Sequence, residues 1–272
     1  MNKQINPKIF YREQFPLSNK YDPIWVLENA MGPHPLWQTE YLLQAFALKP
    51  GMRVLDLACG KGMTSVFLAK EFGVHVYAVD FDKWGGRASA DKRWENAKAH
   101  GVEHLITPIK ADAKNLPFAS GFFDAIICIN SYMYFGQDNE YLQYILKFLR
   151  TNGQVGFILT SYANDITGGI PDHIVEFLGE DQLWTWQSLP WWKALWEKDK
   201  LVHIDAADIL PNGSALWWQY SQAEDDFNSQ EEDIRQSASS PEDAERSDTE
   251  IHKYDSENGE YMGFIRMVAT KK

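Results

Sequence analysis

The run Asp56-Leu57-Ala58-Cys59-Gly60-Lys61-Gly62-Met63 carries an acid and two glycines between a short apolar stretch and an amphipathic one. Two glycines in such a turn let the backbone approach a ligand with no Cβ in the way. The helix that follows presents free N–H groups to a carboxylate. Asp80 lies 20 residues beyond Gly60 and is followed by Phe81. An acid at that distance can accept both hydroxyls of a ribose. Asp112 and Ala113, with Leu116-Pro117-Phe118 after them, stand where a carboxylate can accept from the exocyclic amine of adenine. Asn130-Ser131-Tyr132 ends a fourth apolar run. Each residue also has a plainer reading. Asp56, Asp80 and Asp112 can cap turns or helices; Tyr132 and Tyr134 can face a substrate or fill the core. Cys59, within an apolar segment, reads as a packing residue and not as a nucleophile. His34, His173 and His203 are isolated and read as structural. No cluster has metal-ligand spacing.

These residues converge only if the chain builds one sheet edge. Short apolar runs at 53–58, 75–80, 105–109, 123–129 and 154–160 read as strands, the last after an Asn152-Gly153 turn. Helical periodicity falls at 63–72, 84–100 and 140–149 between them. Strands alternating with helices of about 10–15 residues imply right-handed crossovers and a doubly wound α/β domain. Ligands of such sheets bind at the carboxyl ends of the strands, where all four elements lie. The flanks differ. Residues 1–50 hold six prolines, five of them before residue 36, and a predicted helix at 37–46. Residues 170–196 contain Trp184, Trp186, Trp191, Trp192 and Trp196, and further strands are expected at 201–207 and 261–269.

The hydrophobic and charged fractions, 44% and 24%, are those of a soluble globular chain. No run approaches the roughly 20 apolar residues that cross a bilayer, and no secretory leader is apparent at 1–15, so a cytoplasmic protein is expected. The net charge of -12 is concentrated. Between Glu224 and Glu260 there are 14 acidic and three basic residues. A near-neutral body with one acidic appendage argues against a nucleic-acid partner, which needs clustered Lys and Arg. The acidic run reads as a solvated, partly helical or disordered insertion.

The glycine segment, Asp80, Ala111-Asp112-Ala113 with Leu116-Pro117-Phe118, and Phe122-Phe123-Asp124-Ala125-Ile126 together resemble class I methyltransferases. The resemblance spans roughly residues 50–160 and is greatest to the small-molecule branch that includes the ubiquinone and menaquinone C-methyltransferases. It implies S-adenosylmethionine as cofactor and a seven-stranded sheet whose last strand, at 261–269, is antiparallel. It implies a cofactor site made of Asp56, Ala58, Gly60, Gly62, Met63, Asp80, Phe81, Asp112, Ala113 and Asn130. It further implies an N-terminal helical cap over 1–50 and a methyltransferase domain over 51–272, with an aromatic lid at about 165–200. The acidic insertion at about 221–260 departs from the tight hairpin usual there. Cys59 and Lys61 depart in the loop without disturbing its glycines.

Methyl transfer from a sulfonium is an in-line displacement that needs alignment and exclusion of water, and a base only when the nucleophile arrives protonated. Tyr132, Tyr134 and His173 are the candidate catalytic residues. The acceptor is expected to be a small molecule, apolar, aromatic or cationic; aromatic faces attract a cation by roughly 0.5–2 kcal/mol. The tryptophans either close over the cleft or, with Trp217 and Trp218, pack two helices on the sheet. Three other readings remain: transfer to a peptide or protein, a cofactor-binding module without catalysis, and a nicotinamide oxidoreductase. The last wants a third glycine where Ser65 stands.

Overall fold

The computed structural model describes residues 5–82, 88–163, 169–180, 182–236 and 261–272, with no account of the side chains of 173, 177 and 230–236. Seven strands form one sheet: β1 Arg53–Leu57, β2 His75–Asp80, β3 Ile106–Lys110, β4 Phe123–Ile129, β5 Leu149–Tyr162, β6 Val202–Ile209 and β7 Met262–Lys271. Their order is β3-β2-β1-β4-β5-β7-β6. The first five run parallel, and β7 lies antiparallel between β5 and β6. The expected seven-stranded sheet with an antiparallel last strand is therefore present.

The apolar runs are continuous because both faces of the sheet are covered. Along β4, Ala125, Ile127 and Ile129 point into one core, and Phe123, Ile126 and Cys128 into the other. The first face carries α2 Pro35–Leu43, α3 Met63–Phe72, α4 Ala90–Ala99 and α8 Gly213–Gln236; the second carries α5 Asn139–Leu146 and α7 Leu189–Glu197. Two further α-helices lie among the described residues, α1 Pro23–Asn29 and α6 Asp172–Leu178.

The N-terminal segment shares the first core. Phe10, Phe15, Tyr21 and Trp37 are buried in it beside Val66 and Phe67 of α3. Glu40, itself buried, accepts from the Leu17 and Ser18 amides and from the Ser18 hydroxyl, which pins the segment down. Arg266 grips Asp208 through two nitrogens and donates to the Tyr41 carbonyl, tying α2 to the outer strands. Glu40→Gln leaves a neutral amide where three donors meet and is expected to cost about 1–2 kcal/mol, read from the urea midpoint.

Several expectations need correction. The second helix of the sheet region begins at Ala90, capped by the Ser89 side chain, and not at 84; residues 83–87 lie outside the described ones. The helix placed at 37–46 starts at Pro35, where proline's fixed φ suits the first turn, and ends at Leu43. Asn152-Gly153 is no turn before β5; it sits inside that strand, Asn152 at φ 61, where the pairing with β4 shifts register. The acidic insertion does not start the departure from a hairpin. Helix α8 begins at Gly213 and runs into it as far as Gln236, while 237–260 fall outside the described residues. The tryptophans divide. Trp192 and Trp196 are fully buried on the second face and Trp217 is buried on the first, whereas Trp184 is exposed. Among the described residues no helix is long and apolar enough to cross a membrane.

Candidate active site

At the carboxyl end of β1 the backbone leaves the sheet through three left-handed residues: Ala58 at φ 57, Gly60 at φ 55 and Gly62 at φ 81. Ala58 pays about 1–3 kcal/mol for a conformation that suits glycine better. The two glycines are required by the chain itself. A Cβ on Gly60 would stand 2.9 Å from the Met31 sulfur, and one on Gly62 would stand 3.2 Å from Cγ of Arg93. The close approach expected of a ligand is thus made first by the N-terminal cap and by α4.

Carboxylates lock this turn. The Gly60 amide donates to Asp80 Oδ2 at 2.9 Å, and the Asp82 amide donates to the other oxygen at 3.1 Å. Each carboxylate oxygen keeps a second lone pair for a further donor. Asp56 is buried, with one oxygen accepting from the Ser65 hydroxyl at 2.5 Å. Its other oxygen meets no donor among the described residues. Burial pushes its carboxyl up to about 7; the Ser65 hydrogen bond opposes this, and nearby Asp80 adds to it. Ser65, which breaks the dinucleotide glycine pattern, is here the clamp on Asp56.

Arg93 went unnoticed in the sequence, inside a helix that looks polar. Its guanidinium is buried and spans the site. Nη1 meets Asp82 at 2.9 Å and donates to the Ala88 and Gly60 carbonyls; Nη2 reaches the Ile109 carbonyl. One side chain therefore joins the glycine turn, the end of β2 and β3.

The remaining predicted residues gather around a cleft in two lobes. The first, about 460 Å³, is lined by Asp56, Gly60, Met63 and Asn130 of the sheet edge, and also by Met31 of the cap and Glu224 of α8. The second, about 600 Å³, is lined by Phe81, Asp112, Ala113 and Phe135, and by Trp184 beyond β5. Ala58, Asp80, Ser131 and Tyr134 border both, so the lobes are continuous. Volumes of this order suit a cofactor and a small partner. Gly62 is not on the lining; it caps α3 in the left-handed conformation. Asn130, left-handed at φ 51, ties its side-chain oxygen to the Thr160 amide. Asp112 is exposed and accepts from the Lys114 amide, so its capping role and its place in the cleft coexist.

The tyrosine pair separates. Tyr132 is buried, stacked on Phe157 at 4.7 Å and walled in by Trp192 and Trp196. It packs as core, one of the two readings its place in the sequence allowed. Tyr134 is half exposed and faces both lobes; burial of its base raises its phenol pKa, so it stays protonated. The side chain of His173, on α6, lies outside the described ones. His34 caps α2, accepting from the Trp37 amide, and burial holds its imidazole neutral. Burial likewise pushes the Cys59 and Cys128 thiols up, which suits packing and not nucleophilic attack. Missed altogether by sequence reasoning were Met31, Arg93 and Glu224, which reach the site from elements without a glycine motif to mark them.

A sheet of order 3-2-1-4-5-7-6 with a glycine turn after β1 and acids after β1 and β2 defines the class I methyltransferase fold with its cofactor crevice. Comparison with known proteins agrees. Residues 54–153 match the methyltransferase domain family, and the chain carries a class I, S-adenosylmethionine-dependent methyltransferase domain. It is 38% identical over 97 residues to the demethylmenaquinone methyltransferase of Beutenbergia cavernae, covering 36% of this chain and 35% of that protein. It is 26% identical over 110 residues to the glycine/sarcosine/dimethylglycine N-methyltransferase of Actinopolyspora halophila, covering 40% and 19%. The matched part thus spans less than half the length of these curated relatives. The fold is that of Haemonchus contortus phosphoethanolamine N-methyltransferase 2, solved with S-adenosyl-L-methionine, at a TM-score of 0.67 and 16% identity, over 98% of this chain and 60% of that one.

Proposed function

We propose that this protein is an enzyme that moves a methyl group from S-adenosylmethionine to a small-molecule acceptor. The observation that carries the reading is the pair of lobes meeting at Ala58, Asp80, Ser131 and Tyr134. One can hold a nucleoside and the other an amino-acid end with room beside it. The residues present fit that cofactor. Asp80, at the rim of both lobes, would take the ribose hydroxyls with its remaining lone pairs. Phe81, Asp112 and Ala113 would frame the adenine, and the N-terminus of α3 would face the carboxylate. Asp56, with an oxygen that meets no donor among the described residues, would face the ammonium. When bound, the cofactor supplies a methyl group on a positively charged sulfur. The chain's own part is alignment and exclusion of water, for which Met31, Tyr134 and Trp184 stand on the lining of the cleft. Tyr134, kept protonated, orients by donating a hydrogen bond and does not serve as a base.

Calorimetric titration with S-adenosylmethionine, S-adenosylhomocysteine and NAD tests this. Both sulfur ligands are expected to bind and NAD not to. Asp80→Ala should weaken S-adenosylhomocysteine at least tenfold, about 1.4 kcal/mol. Binding of NAD alone, or an unchanged affinity in the variant, would overturn the reading.

A further inference from the structure

Helix α8 fills the place where the sheet's last hairpin would turn tightly, and it brings a carboxylate to the first lobe. Its apolar side, Leu216, Tyr220, Ala223 and Phe227, repeats at helical spacing and is buried. Tyr220 packs edge-on to His34 and against Phe10, both at 5.6 Å, so the helix is seated on the N-terminal cap. One turn on, Glu224 lines the first lobe, and the Tyr220 hydroxyl donates to its Oε1 at 3.3 Å. A buried tyrosine on a fixed helix therefore aims the carboxylate. The charged residues on this lobe are Asp56, Asp80, Glu224 and Lys61, and the Lys61 ammonium is turned to the Glu28 carbonyl at 2.7 Å. Asp56 adds a buried oxygen that meets no donor among the described residues. Among the described residues, three carboxyl groups and one ammonium thus line the lobe. Asp56 and Asp80 reach it from the ends of β1 and β2, and Glu224 reaches it from α8, an element outside the glycine turn.

We infer that the acceptor is an amine methylated at nitrogen, and that Glu224 is the carboxylate that faces that nitrogen. The inference rests on the methyltransferase reading above. In the step, the lone pair of a neutral amine forms the C–N bond while the C–S bond breaks, its electron pair staying on sulfur. An amine that arrives as an ammonium first gives its proton to solvent water; in the transfer itself sulfur then loses the positive charge and nitrogen gains it. A carboxylate held beside the nitrogen interacts more strongly with the transition state than with the neutral amine, which is what accelerates a reaction. A carboxylic acid or phenolate acceptor would meet repulsion there instead.

The test uses the full chain loaded with S-adenosylhomocysteine and compares benzylamine, an ammonium at pH 7.5, with benzyl alcohol, its neutral counterpart. Wild type is expected to bind the amine at least tenfold more tightly than the alcohol. Glu224→Gln keeps an oxygen for Tyr220 and should abolish that preference while its affinity for S-adenosylhomocysteine stays unchanged. Equal binding of amine and alcohol by wild type, or a preference that survives in the variant, overturns the assignment of Glu224. Failure of wild type to bind S-adenosylhomocysteine at all would instead remove the methyltransferase reading beneath it. A turnover assay with sarcosine and with a hydroquinone adds a second readout: methylation of the hydroquinone, unaffected by Glu224→Gln, also overturns the proposal.

Discussion

Arg93→Met is expected to lower the stability of the fold by about 3–5 kcal/mol, the usual cost of removing one partner of a buried ion pair. The variant's chain fills much of the same space, so the loss is electrostatic and not a cavity. What is left behind is the nearly buried Asp82 carboxylate, together with the Gly60, Ala88 and Ile109 carbonyls that shared the guanidinium. Urea unfolding checks this, with a lower midpoint and an unchanged slope as the expected outcome. Asp82→Asn added to Arg93→Met should recover part of the loss, because it removes the stranded charge. A variant within about 1 kcal/mol of wild type would show that the guanidinium is not the tie described. Since Arg93 holds the glycine turn by the Gly60 carbonyl, cofactor affinity should fall in step with stability, and it should do so without any change on the lining of the cleft.

The second large effect depends on pH. The Asp56 carboxyl is raised from 3.8 to about 7, chiefly because its charged form is buried. A folded-state pKa above the unfolded one means that the folded protein holds the proton longer. The associated stability is complete below about pH 4 and is lost as pH rises towards 7. Asparagine has no such charge to bury. Asp56→Asn should therefore match wild type near pH 4, gain on it steadily up to about pH 7, and level off above that. The plateau is about 4 kcal/mol, since the shift spans about three tenfold steps in proton affinity between the folded and unfolded chain and each corresponds to about 1.4 kcal/mol. Thermal or urea unfolding across pH 4 to 8.5 would show two curves that diverge; parallel curves would mean that the carboxyl is not raised. The same variant should bind S-adenosylhomocysteine more weakly. A stabilised protein with an impaired site is what a group held for function, at a cost to folding, predicts.

Much of this site could be read from the chain because local chemistry marked it. β1, β2 and β4 were placed within a residue, since uninterrupted apolar runs bounded by glycine or acid leave little choice. The glycine turn and Asp80 stood out for their spacing, and they do meet at one edge. Arg93 did not, because a lone arginine in a polar helix is ordinary until the fold buries it. Tyr132 and Tyr134 are two residues apart and indistinguishable by type. Only the packing of α7 decides that one is walled in by Trp192 and Trp196 while the other looks into the cleft. Met31 and Glu224 reach the first lobe from opposite ends of the chain, and no periodicity links segments so distant. The start of α4 was misplaced although Gly85-Gly86 breaks a helical run and Ser89 offers a cap, because the apolar periodicity was carried back to Trp84 across both signals.

The segment between β6 and β7 leaves and rejoins the sheet at neighbouring points: the Leu210 amide donates to the Phe264 carbonyl at 2.8 Å, and Ile209 pairs with Ile265. A chain that departs and returns through adjacent rungs of a ladder behaves as a removable cassette. Its length costs little, because closure entropy grows only with the logarithm of loop size. The nucleotide half of the site, built on β1 to β4, would not register its exchange. The N-terminal cap would, since Phe10 and His34 rest on Tyr220. In a recombination experiment the selectivity of such an enzyme should therefore travel as two pieces, cap and cassette together, and swapping either alone should leave an exposed apolar seam where a new specificity was sought.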